Sequence, residues 1–302
     1  MDLSLFESEF AVEKLLYNEP MSNHTSFRIG GPADLIVFPE TKAEIQKALL
    51  MCKENALPYF IMGKGSNLLV KDAGYSGVII ALSKNYESIQ LLDKNNISAG
   101  AGISLSKLAG FAMDNSLAGL EFASGIPGSL GGAVFMNAGA YGGEMKDVIT
   151  SVDLLDENGS EMAMTNEQME FGYRTSFIQK NDGKYIVLGA NMRLETGDVE
   201  SIKAKSMELN MRRKDKQPLD LPSAGSAFKR PEGYFAAKLI DDAGLRGFSY
   251  GGAMVSQKHC GFIVNFNSAT ADDVITLVRM VKEKVYQQFE IELESEIRII
   301  GD

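Results

Sequence analysis

Residues 125–133, Gly125-Ile126-Pro127-Gly128-Ser129-Leu130-Gly131-Gly132-Ala133, are the stretch that decides the fold, and five of these nine residues are glycine or proline. Glycine permits positive φ angles and lets the main chain approach a ligand closely. Successive N–H groups in such a loop can form a concave cradle for an anion. A second glycine loop, Gly63-Lys64-Gly65-Ser66-Asn67-Leu68, lies upstream. Neither loop has the GxGxxG or GxxxxGK[ST] spacing. The sequence therefore predicts a large phosphorylated cofactor whose diphosphate lies on two unusual loops.

The composition is that of an ordinary globular protein, with 45% hydrophobic and 23% charged residues among 302. The net charge of −10 argues against nucleic acid as a partner. No apolar run approaches the roughly 20 residues that cross a bilayer, and the first residues lack a secretory pattern. Cys52 and Cys260 have no metal or redox spacing. His24 and His259 lack acidic or cysteine neighbours at ligand spacing, so we expect no metal. We expect a cytoplasmic protein with reduced cysteines.

Hydrophobic periodicity predicts alternating helices and strands. Apolar runs at 35–38, 59–62 and 77–80 predict strands, the pair Asn158-Gly159 predicts a hairpin turn, and an alternating run predicts a strand at 185–194. Helices are predicted at 41–55, 104–115, 198–213, 234–243 and 270–289. Residues 291–300 alternate cleanly and predict a half-buried terminal strand. Pro218 and Pro222 mark a linker after the third of these five helices.

Two polar motifs are candidates for chemistry. Arg174, within Tyr173-Arg174-Thr175-Ser176, has a planar guanidinium that suits a substrate carboxylate. The alternative is an ordinary surface arginine. Ser226 lies among small residues, and without a histidine base or a GxSxG elbow it is better suited to donating a proton than to attacking a carbonyl. The alternative is a plain turn.

Two charged segments are further candidates. Glu294, Glu296 and Arg298 project to one face of the predicted terminal strand, and periodicity alone cannot choose between the two glutamates. The alternative is a solvated strand face. The basic run 212–216, which ends in Lys216, indicates a phosphorylated ligand in an acidic protein. The alternative is a helix C-terminus that complements its own dipole.

These motifs, in this order, resemble those of the UDP-N-acetylenolpyruvoylglucosamine reductase family, flavoenzymes of peptidoglycan synthesis. The matching segments are 23–33, 63–68, 125–133, 136–143, 173–176, 225–229 and 294–301. These segments are distributed along the chain, so the resemblance extends over almost all of it after the first twenty or so residues. The short segment between Arg174 and Tyr185 leaves no room for the insertion of the family's other subclass, so the resemblance is to the shorter, type II form.

The resemblance implies an α+β architecture, in which a two-subdomain FAD-binding fold of the vanillyl-alcohol-oxidase and p-cresol methylhydroxylase (PCMH) type is followed by a smaller α+β substrate-binding domain. The implied domains are residues 1–82, 83–204 and 205–302. FAD is expected to bind without a covalent bond, because neither glycine loop contains histidine or cysteine. The implied cofactor-binding residues are Gly63, Lys64, Gly65, Ser66, Asn67, Leu68, Gly125, Ile126, Pro127, Gly128, Ser129, Gly131, Gly132, Ala133 and Asn137.

The implied activity is that of a UDP-N-acetylmuramate dehydrogenase. NADPH would reduce the flavin, which would pass hydride to C3 of the enolpyruvyl group of UDP-N-acetylglucosamine enolpyruvate. The resemblance assigns Ser226 as the proton donor at C2, and assigns Arg174 and Glu296 to the carboxylate and the enolic intermediate. It thereby selects Glu296 over Glu294. The implied substrate-binding residues are Tyr173, Lys216, Lys229 and Arg298.

Two other functions are compatible with parts of the pattern. A different flavoenzyme on the same fold, such as an oxidase of small alcohols, would consume oxygen and ignore UDP-sugars. A nucleotide-sugar binding protein without turnover would be colourless and would not oxidise NADPH. The combination of Arg174, Ser226 and Glu296 argues against both, because a binding protein needs no proton donor.

Overall fold

The computed structural model describes residues 2–83 and 85–302, which fall into two compact units. The first unit comprises Met1–Tyr17, Leu35–Lys64 and Gly77–Arg212. The second comprises Asn18–Asp34, Gly65–Ser76 and Arg213–Asp302. Each unit has its own hydrophobic core. The division into three domains expected from the sequence stays a prediction.

The helices and strands of the described residues are as follows. The α-helices are α1 Lys42–Glu54, α2 Leu105–Asp114, α3 Leu130–Met136, α4 Phe177–Lys180, α5 Val199–Lys216, α6 Ala236–Asp242 and α7 Ala271–Phe289. Short 3₁₀ helices lie at Ser4–Ser8, Val12–Lys14, Met21–Asn23, Glu121–Ala123 and Met145–Asp147. The strands are β1 Leu15–Pro20, β2 Pro32–Val37, β3 Tyr59–Met62, β4 Leu68–Val70, β5 Tyr75–Ala81, β6 Ile89–Leu91, β7 Asn96–Gly100, β8 Leu117–Ala118, β9 Gly139–Ala140, β10 Gly143–Glu144, β11 Ile149–Asp156, β12 Glu161–Thr165, β13 Tyr185–Arg193, β14 Glu195–Thr196, β15 Ser223–Ser226, β16 Ser249–Tyr250, β17 Ala253–Val255, β18 Phe262–Asn265 and β19 Arg298–Ile300.

A four-stranded sheet with the order β1-β2-β5-β3 contains the three predicted strands around α1, which confirms them. Strands β3 and β5 are parallel, with Tyr59 opposite Val78. Helix α1 begins where the Thr41 hydroxyl accepts a hydrogen bond from the Glu44 N–H at 3.2 Å. Its apolar face is fully buried in the core of the first unit, and burying one such leucine or isoleucine stabilises the fold by about 1.5–3 kcal/mol.

A five-stranded sheet with the order β12-β11-β13-β7-β6 is antiparallel throughout. Strands β11 and β12 form the predicted hairpin, and Gly159 in its turn has a φ of +78°, which a glycine adopts without strain. The predicted strand near 185–194 is β13, whose central residues are buried as expected of an interior strand. Helix α2 begins one residue after the predicted start, with Ser104 as its N-cap.

The second unit has a sheet with the order β15-β18-β17-β16 and the long helix α7. Helix α7 begins with a capping box, in which Thr270 and Asp273 each accept a hydrogen bond from the other's N–H group. The predicted apolar stripe of α7 is buried in the core of this unit, and it consists of Val274, Leu277, Val278, Val281 and Val285. The predicted helix at 270–289 is therefore confirmed almost to the residue.

The predicted continuous strand at 291–300 is wrong before residue 298. Strand β19 covers only Arg298–Ile300, where it pairs in parallel with β4. Ahead of it, Ser295 forms a single antiparallel bridge with Phe228. The segment changes its hydrogen-bonding partner partway along, since the Glu296 N–H donates to the Ala227 carbonyl oxygen whereas the Arg298 N–H donates to that of Asn67. Ile299, expected to be buried, is 40% exposed.

Candidate active site

The two glycine loops approach each other at Ser129. A Cβ atom on Gly63 would lie 2.3 Å from the Ser129 Oγ, so only glycine fits at position 63 without movement. Ser129 is 2% exposed and precedes helix α3, but its side chain makes no capping hydrogen bond. Within residues 2–83 and 85–302, its Oγ is a buried side-chain oxygen with no hydrogen-bond partner. Since buried hydroxyls normally have partners, this one fits a ligand oxygen.

The main-chain N–H groups of the loop at 125–133 are less available to a ligand than the sequence indicated. The N–H groups of Ile126, Leu130 and Gly131 donate to protein carbonyl oxygens at 3.0, 2.9 and 2.8 Å. The expected cradle of successive N–H groups is therefore wrong at these three positions. A Cβ atom on Gly131 would lie 2.9 Å from that of Ala101. Glycine 131 thus permits close packing of the loop against neighbouring main chain.

The predicted cofactor-binding residues are divided between the two units. The first unit contains Gly63, Lys64, Gly125, Ile126, Pro127, Gly128, Ser129, Gly131, Gly132, Ala133 and Asn137. The second contains Gly65, Ser66, Asn67 and Leu68. Gly65 has a φ of +62°, and a Cβ atom there would lie 2.2 Å from the carbonyl oxygen of His24. The Asn67 side chain donates to the carbonyl oxygen of Glu296 at 3.0 Å, which ties this loop to the predicted catalytic glutamate.

In the first unit, Tyr173 and Arg174 form a tight turn. The main chains of Gly172 and Thr175, on either side of it, exchange two hydrogen bonds of 3.1 and 3.3 Å. Arg174 has a φ of +54°, an uncommon value for a residue with a side chain. Its guanidinium donates to the carbonyl oxygen of Gly139 at 3.1 Å and lies 5.3 Å from the centre of the Tyr173 ring. The predicted carboxylate-binding arginine is thus held from both its main chain and its side chain.

Helix α3 connects this turn to the glycine loop. Asn137 follows the last residue of α3 with a φ of +44°, and its amide nitrogen donates to the carbonyl oxygen of Gly172 at 2.9 Å. The Ser176 hydroxyl donates to the carbonyl oxygen of Phe135 at 2.7 Å. No local signal in the sequence indicates this contact of Ser176, because it joins residues 41 positions apart.

In the second unit, Ser226 and Glu296 lie on neighbouring segments. Ser226 ends β15, directly after Gly225 with a φ of +77°, at an irregularity in the pairing of β15 with β18. The N–H of Glu296 donates to the carbonyl oxygen of Ala227 at 2.9 Å. The predicted proton donor, Ser226, is therefore adjacent in sequence to the residue whose carbonyl oxygen binds the main chain of Glu296.

The predicted substrate-binding lysines occupy two places in the second unit. Lys229 forms an ion pair of 2.5 Å with Glu294, which is the glutamate that was not selected as catalytic. Lys216 ends helix α5 and lies close enough to His259 to affect its titration. Burial, with smaller contributions from Arg246 and Lys216, lowers the pKa of His259 below its ordinary value. Arg298 begins β19, and its N–H donates to the carbonyl oxygen of Asn67 at 3.0 Å.

Within residues 2–83 and 85–302, no group of three or more His, Cys, Asp or Glu side chains could hold a metal ion. No helix in the same range has the length and apolar character needed to cross a membrane.

Comparisons with known proteins agree with the geometry. The model of the FAD binding domain family matches residues 33–165, and that of the UDP-N-acetylenolpyruvoylglucosamine reductase C-terminal domain matches 217–300. A UDP-N-acetylenolpyruvoylglucosamine reductase from Alkaliphilus oremlandii is 53% identical over 95% of this chain and 94% of its own length. The crystal structure of the same enzyme (MurB) from Thermus caldophilus is 36% identical in sequence and has a TM-score of 0.79. The match covers 94% of this chain and 97% of that one.

A more distant solved structure extends the likeness in fold alone. The 4-ethylphenol oxidase from Gulosibacter chungangensis is 14% identical and has a TM-score of 0.50, over 64% of this chain and 42% of its own. The expected α+β FAD-binding fold with a reductase-type C-terminal domain is therefore confirmed. The similarity at high identity over nearly the whole chain is decisive. The chain belongs to the UDP-N-acetylenolpyruvoylglucosamine reductase family.

Proposed function

We propose that this protein uses bound FAD to catalyse the NADPH-dependent reduction of UDP-N-acetylglucosamine enolpyruvate to UDP-N-acetylmuramate. It is an FAD-dependent oxidoreductase, a UDP-N-acetylmuramate dehydrogenase. The observation that carries this conclusion is the similarity to named reductases over nearly the full length of both chains, which includes both family domains.

The buried hydroxyl of Ser129 fits the expected cofactor. A diphosphate oxygen would accept the hydrogen bond that the Ser129 Oγ does not make within the protein, and charge-assisted hydrogen bonds of this kind are strong. Gly63 leaves the space beside this hydroxyl that a larger residue would fill. FAD is bound without a covalent bond, by these residues and the remainder of the two glycine loops. Asn137 is not carried into this set, because both of its amide N–H groups bond to protein oxygens.

Bound FAD would supply the redox chemistry, the transfer of hydride from NADPH to C3 of the enolpyruvyl group. The carbanion that forms at C2 is an enolate conjugated with the substrate carboxylate, so negative charge accumulates on that group. Arg174 binds the carboxylate, and its planar guanidinium can make two parallel hydrogen bonds to it. Because the Arg174 turn is fixed at Gly172 and Gly139, its donors need little reorganisation as the charge develops.

Ser226 donates the proton to C2, and Glu296 stabilises the enolic intermediate. A serine hydroxyl can fulfil this role without a histidine base, because it donates a proton to a basic carbanion. A carboxylic acid that stays protonated beside an enolate can share a hydrogen bond with it. The main-chain contact between Ala227 and Glu296 supports a joint role for these two side chains.

The substrate's remaining groups are assigned to Tyr173, Lys216, Lys229 and Arg298. Lys216 is suited to the diphosphate, since it lies at the end of a run of basic residues in an acidic protein. Lys229 would exchange its ion pair with the exposed Glu294 for a substrate anion. Exposed ion pairs contribute little to stability, so this exchange costs little.

The pathway and location follow from the reaction. UDP-N-acetylmuramate is a peptidoglycan precursor, so the protein acts in cell-wall synthesis and thereby in cell shape and division. We place it in the cytoplasm. Cys52 and Cys260 are both buried and unbridged, which is typical of proteins in a reducing compartment.

An anaerobic titration followed by visible spectroscopy tests the function. NADPH is added first to the purified yellow protein, and the enolpyruvyl UDP-sugar is added second. We expect bleaching and then recovery of the oxidised flavin spectrum. Bleaching without recovery would retain the flavin fold but contradict the substrate. A protein that cannot be loaded with FAD would contradict the function as a whole.

A further inference from the structure

Asn137 is a buried residue, and none of its three side-chain hydrogen bonds is to a residue of the two glycine loops. It is 1% exposed. Its amide nitrogen donates to the Gly172 carbonyl oxygen and to the Glu144 carboxylate, each at 2.9 Å, and its amide oxygen accepts from the Lys146 N–H at 2.9 Å. The orientation of the amide is unambiguous, because a flipped amide would direct N–H groups at another N–H.

The bond to Gly172 fixes the turn that carries Arg174. Gly172 and Thr175 exchange two main-chain hydrogen bonds, and only Tyr173 and Arg174 lie between them. A displacement of the Gly172 carbonyl therefore moves the whole turn. Arg174 is already in a left-handed conformation with a φ of +54°, which a side-chain-bearing residue keeps only where its surroundings enforce it.

The same asparagine controls the contact at the other end of the arginine. The Arg174 guanidinium donates to the carbonyl oxygen of Gly139, two residues after Asn137. Asn137 has a φ of +44° and so sets the direction in which the chain leaves helix α3 toward Gly139. The Asn137 side chain thus anchors the main chain of the arginine turn, while its main-chain conformation directs the segment that binds the guanidinium.

We infer that Asn137 is a positioning residue for Arg174 and does not bind the cofactor. Glu144 supports it by accepting its second N–H. This inference rests on the proposed function, in which Arg174 binds the substrate carboxylate. Loss of the Asn137 amide should leave flavin binding and its reduction by NADPH intact, and should impair only the step in which Arg174 acts.

The test compares Asn137→Gly with Asn115→Gly in the FAD-loaded protein. Glycine keeps the left-handed conformation at position 137 without strain and removes only the amide. Asn115 is the matched control, because it also follows a helix of the first unit and its amide nitrogen also donates to a main-chain carbonyl, that of Phe111, at 2.8 Å. Asn137→Gly should lose more thermal stability than Asn115→Gly, because it removes three side-chain hydrogen bonds where the control removes one, so the comparison rests on the two half-reactions.

Anaerobic stopped-flow measurements then follow the two half-reactions separately. For Asn137→Gly we expect reduction by NADPH to be nearly unchanged and reoxidation by the enolpyruvyl UDP-sugar to slow by roughly 10²-fold, the usual cost of misplacing a catalytic group by about 1 Å. Asn115→Gly should match the wild type in both. Equal slowing of both half-reactions with reduced FAD content, or no slowing of either, would overturn the inference.

A second pair of variants covers the case in which Asn137→Gly does not fold. Glu144→Gln keeps an oxygen that can accept from Asn137, whereas Glu144→Ala removes it. We expect Glu144→Ala to slow only reoxidation and Glu144→Gln to restore most of the rate; equal rates in the two variants would contradict the inference. Wild-type reduced protein that the UDP-sugar cannot reoxidise would instead contradict the proposed function.

Discussion

Substitution of Ser129 by alanine should change apoprotein stability and FAD affinity in opposite directions. The Ser129 Oγ is buried without a partner, and leaving a hydroxyl in that state costs roughly 1–3 kcal/mol. Serine at a helix N-cap usually stabilises the helix, but this side chain makes no capping bond, so alanine loses nothing there. The free energy of unfolding of the apoprotein should therefore rise, by about 1 kcal/mol or more.

The effect on FAD follows from the hydrogen bond that the diphosphate would accept. A hydrogen bond to a charged group contributes about 1.5–3 kcal/mol, and since 1.4 kcal/mol corresponds to tenfold, FAD affinity should fall roughly 10- to 100-fold. Stability is measured by denaturant unfolding of protein stripped of flavin. Affinity is measured by quenching of flavin fluorescence as apoprotein is added.

Ser104→Ala is the matched control for this prediction. Ser104 is also a buried N-cap serine of the first unit, but its Oγ accepts the Lys107 N–H at 3.2 Å. Its loss should lower the free energy of unfolding by about 0.5–2 kcal/mol and leave FAD affinity unchanged. If Ser129→Ala behaves like Ser104→Ala in either measurement, the assignment of the Ser129 hydroxyl to the diphosphate is refuted.

Four further outcomes are expected. Ser226→Ala should leave reduction by NADPH intact but slow reoxidation by substrate by roughly 10²–10⁴-fold in stopped-flow experiments, and an unchanged rate would remove Ser226 from the mechanism. Gly110→Ala, within helix α2 and with open space around its Cβ position, should raise the free energy of unfolding by about 0.5–1 kcal/mol in denaturant titrations; a loss would mean that the site is crowded. Burial raises the pKa of the Cys52 thiol to about 12 and that of Cys260 to about 11, so neither should react with a thiol reagent at neutral pH until the protein is unfolded. Because the pKa of His259 is lowered in the folded state, the unfolded state binds more protons just below pH 6.5, and stability there should rise with pH in the wild type and rise less in His259→Gln.

Helices and strands with strong periodic patterns were predictable from the sequence. Helix α7 has a capping box at Thr270 and an apolar stripe from Val274 to Val285, and both local and long-range forces favour the same helix. The terminal segment was not predictable in the same way. The burial predicted from its alternating pattern is found at Leu293 and Ile297, which are 4% and 7% exposed. Which main chain it pairs with at each point depends on segments more than 60 residues away, and no local pattern contains that information.

In the candidate site, too, the sequence reveals the types of side chain present but not how the main chain around them is hydrogen-bonded. The residue types at Arg174 and Ser226 suited carboxylate binding and proton donation, but they equally suited a surface arginine and a plain turn. The resemblance to the reductase family assigned those roles and selected Glu296 over Glu294. What the sequence could not reveal was how the glycine loop uses its main chain. The N–H groups of Leu130 and Gly131 are consumed by neighbouring carbonyl oxygens, so the loop offers a hydroxyl where successive N–H groups were expected.

Helix α3 explains why these features occur together. It begins directly after Ser129, the proposed diphosphate contact, and ends directly before Asn137, which holds the arginine turn. Its seven residues span about 10 Å at 1.5 Å per residue. A rigid helix of fixed length would therefore set the distance from the proposed flavin contact to the proposed carboxylate-binding arginine. An inserted residue would rotate Asn137 by about 100° away from Gly172 while leaving Ser129 in place. The spacing between the glycine loop and Asn137 is thus as much a part of the catalytic design as the residues that touch the substrate.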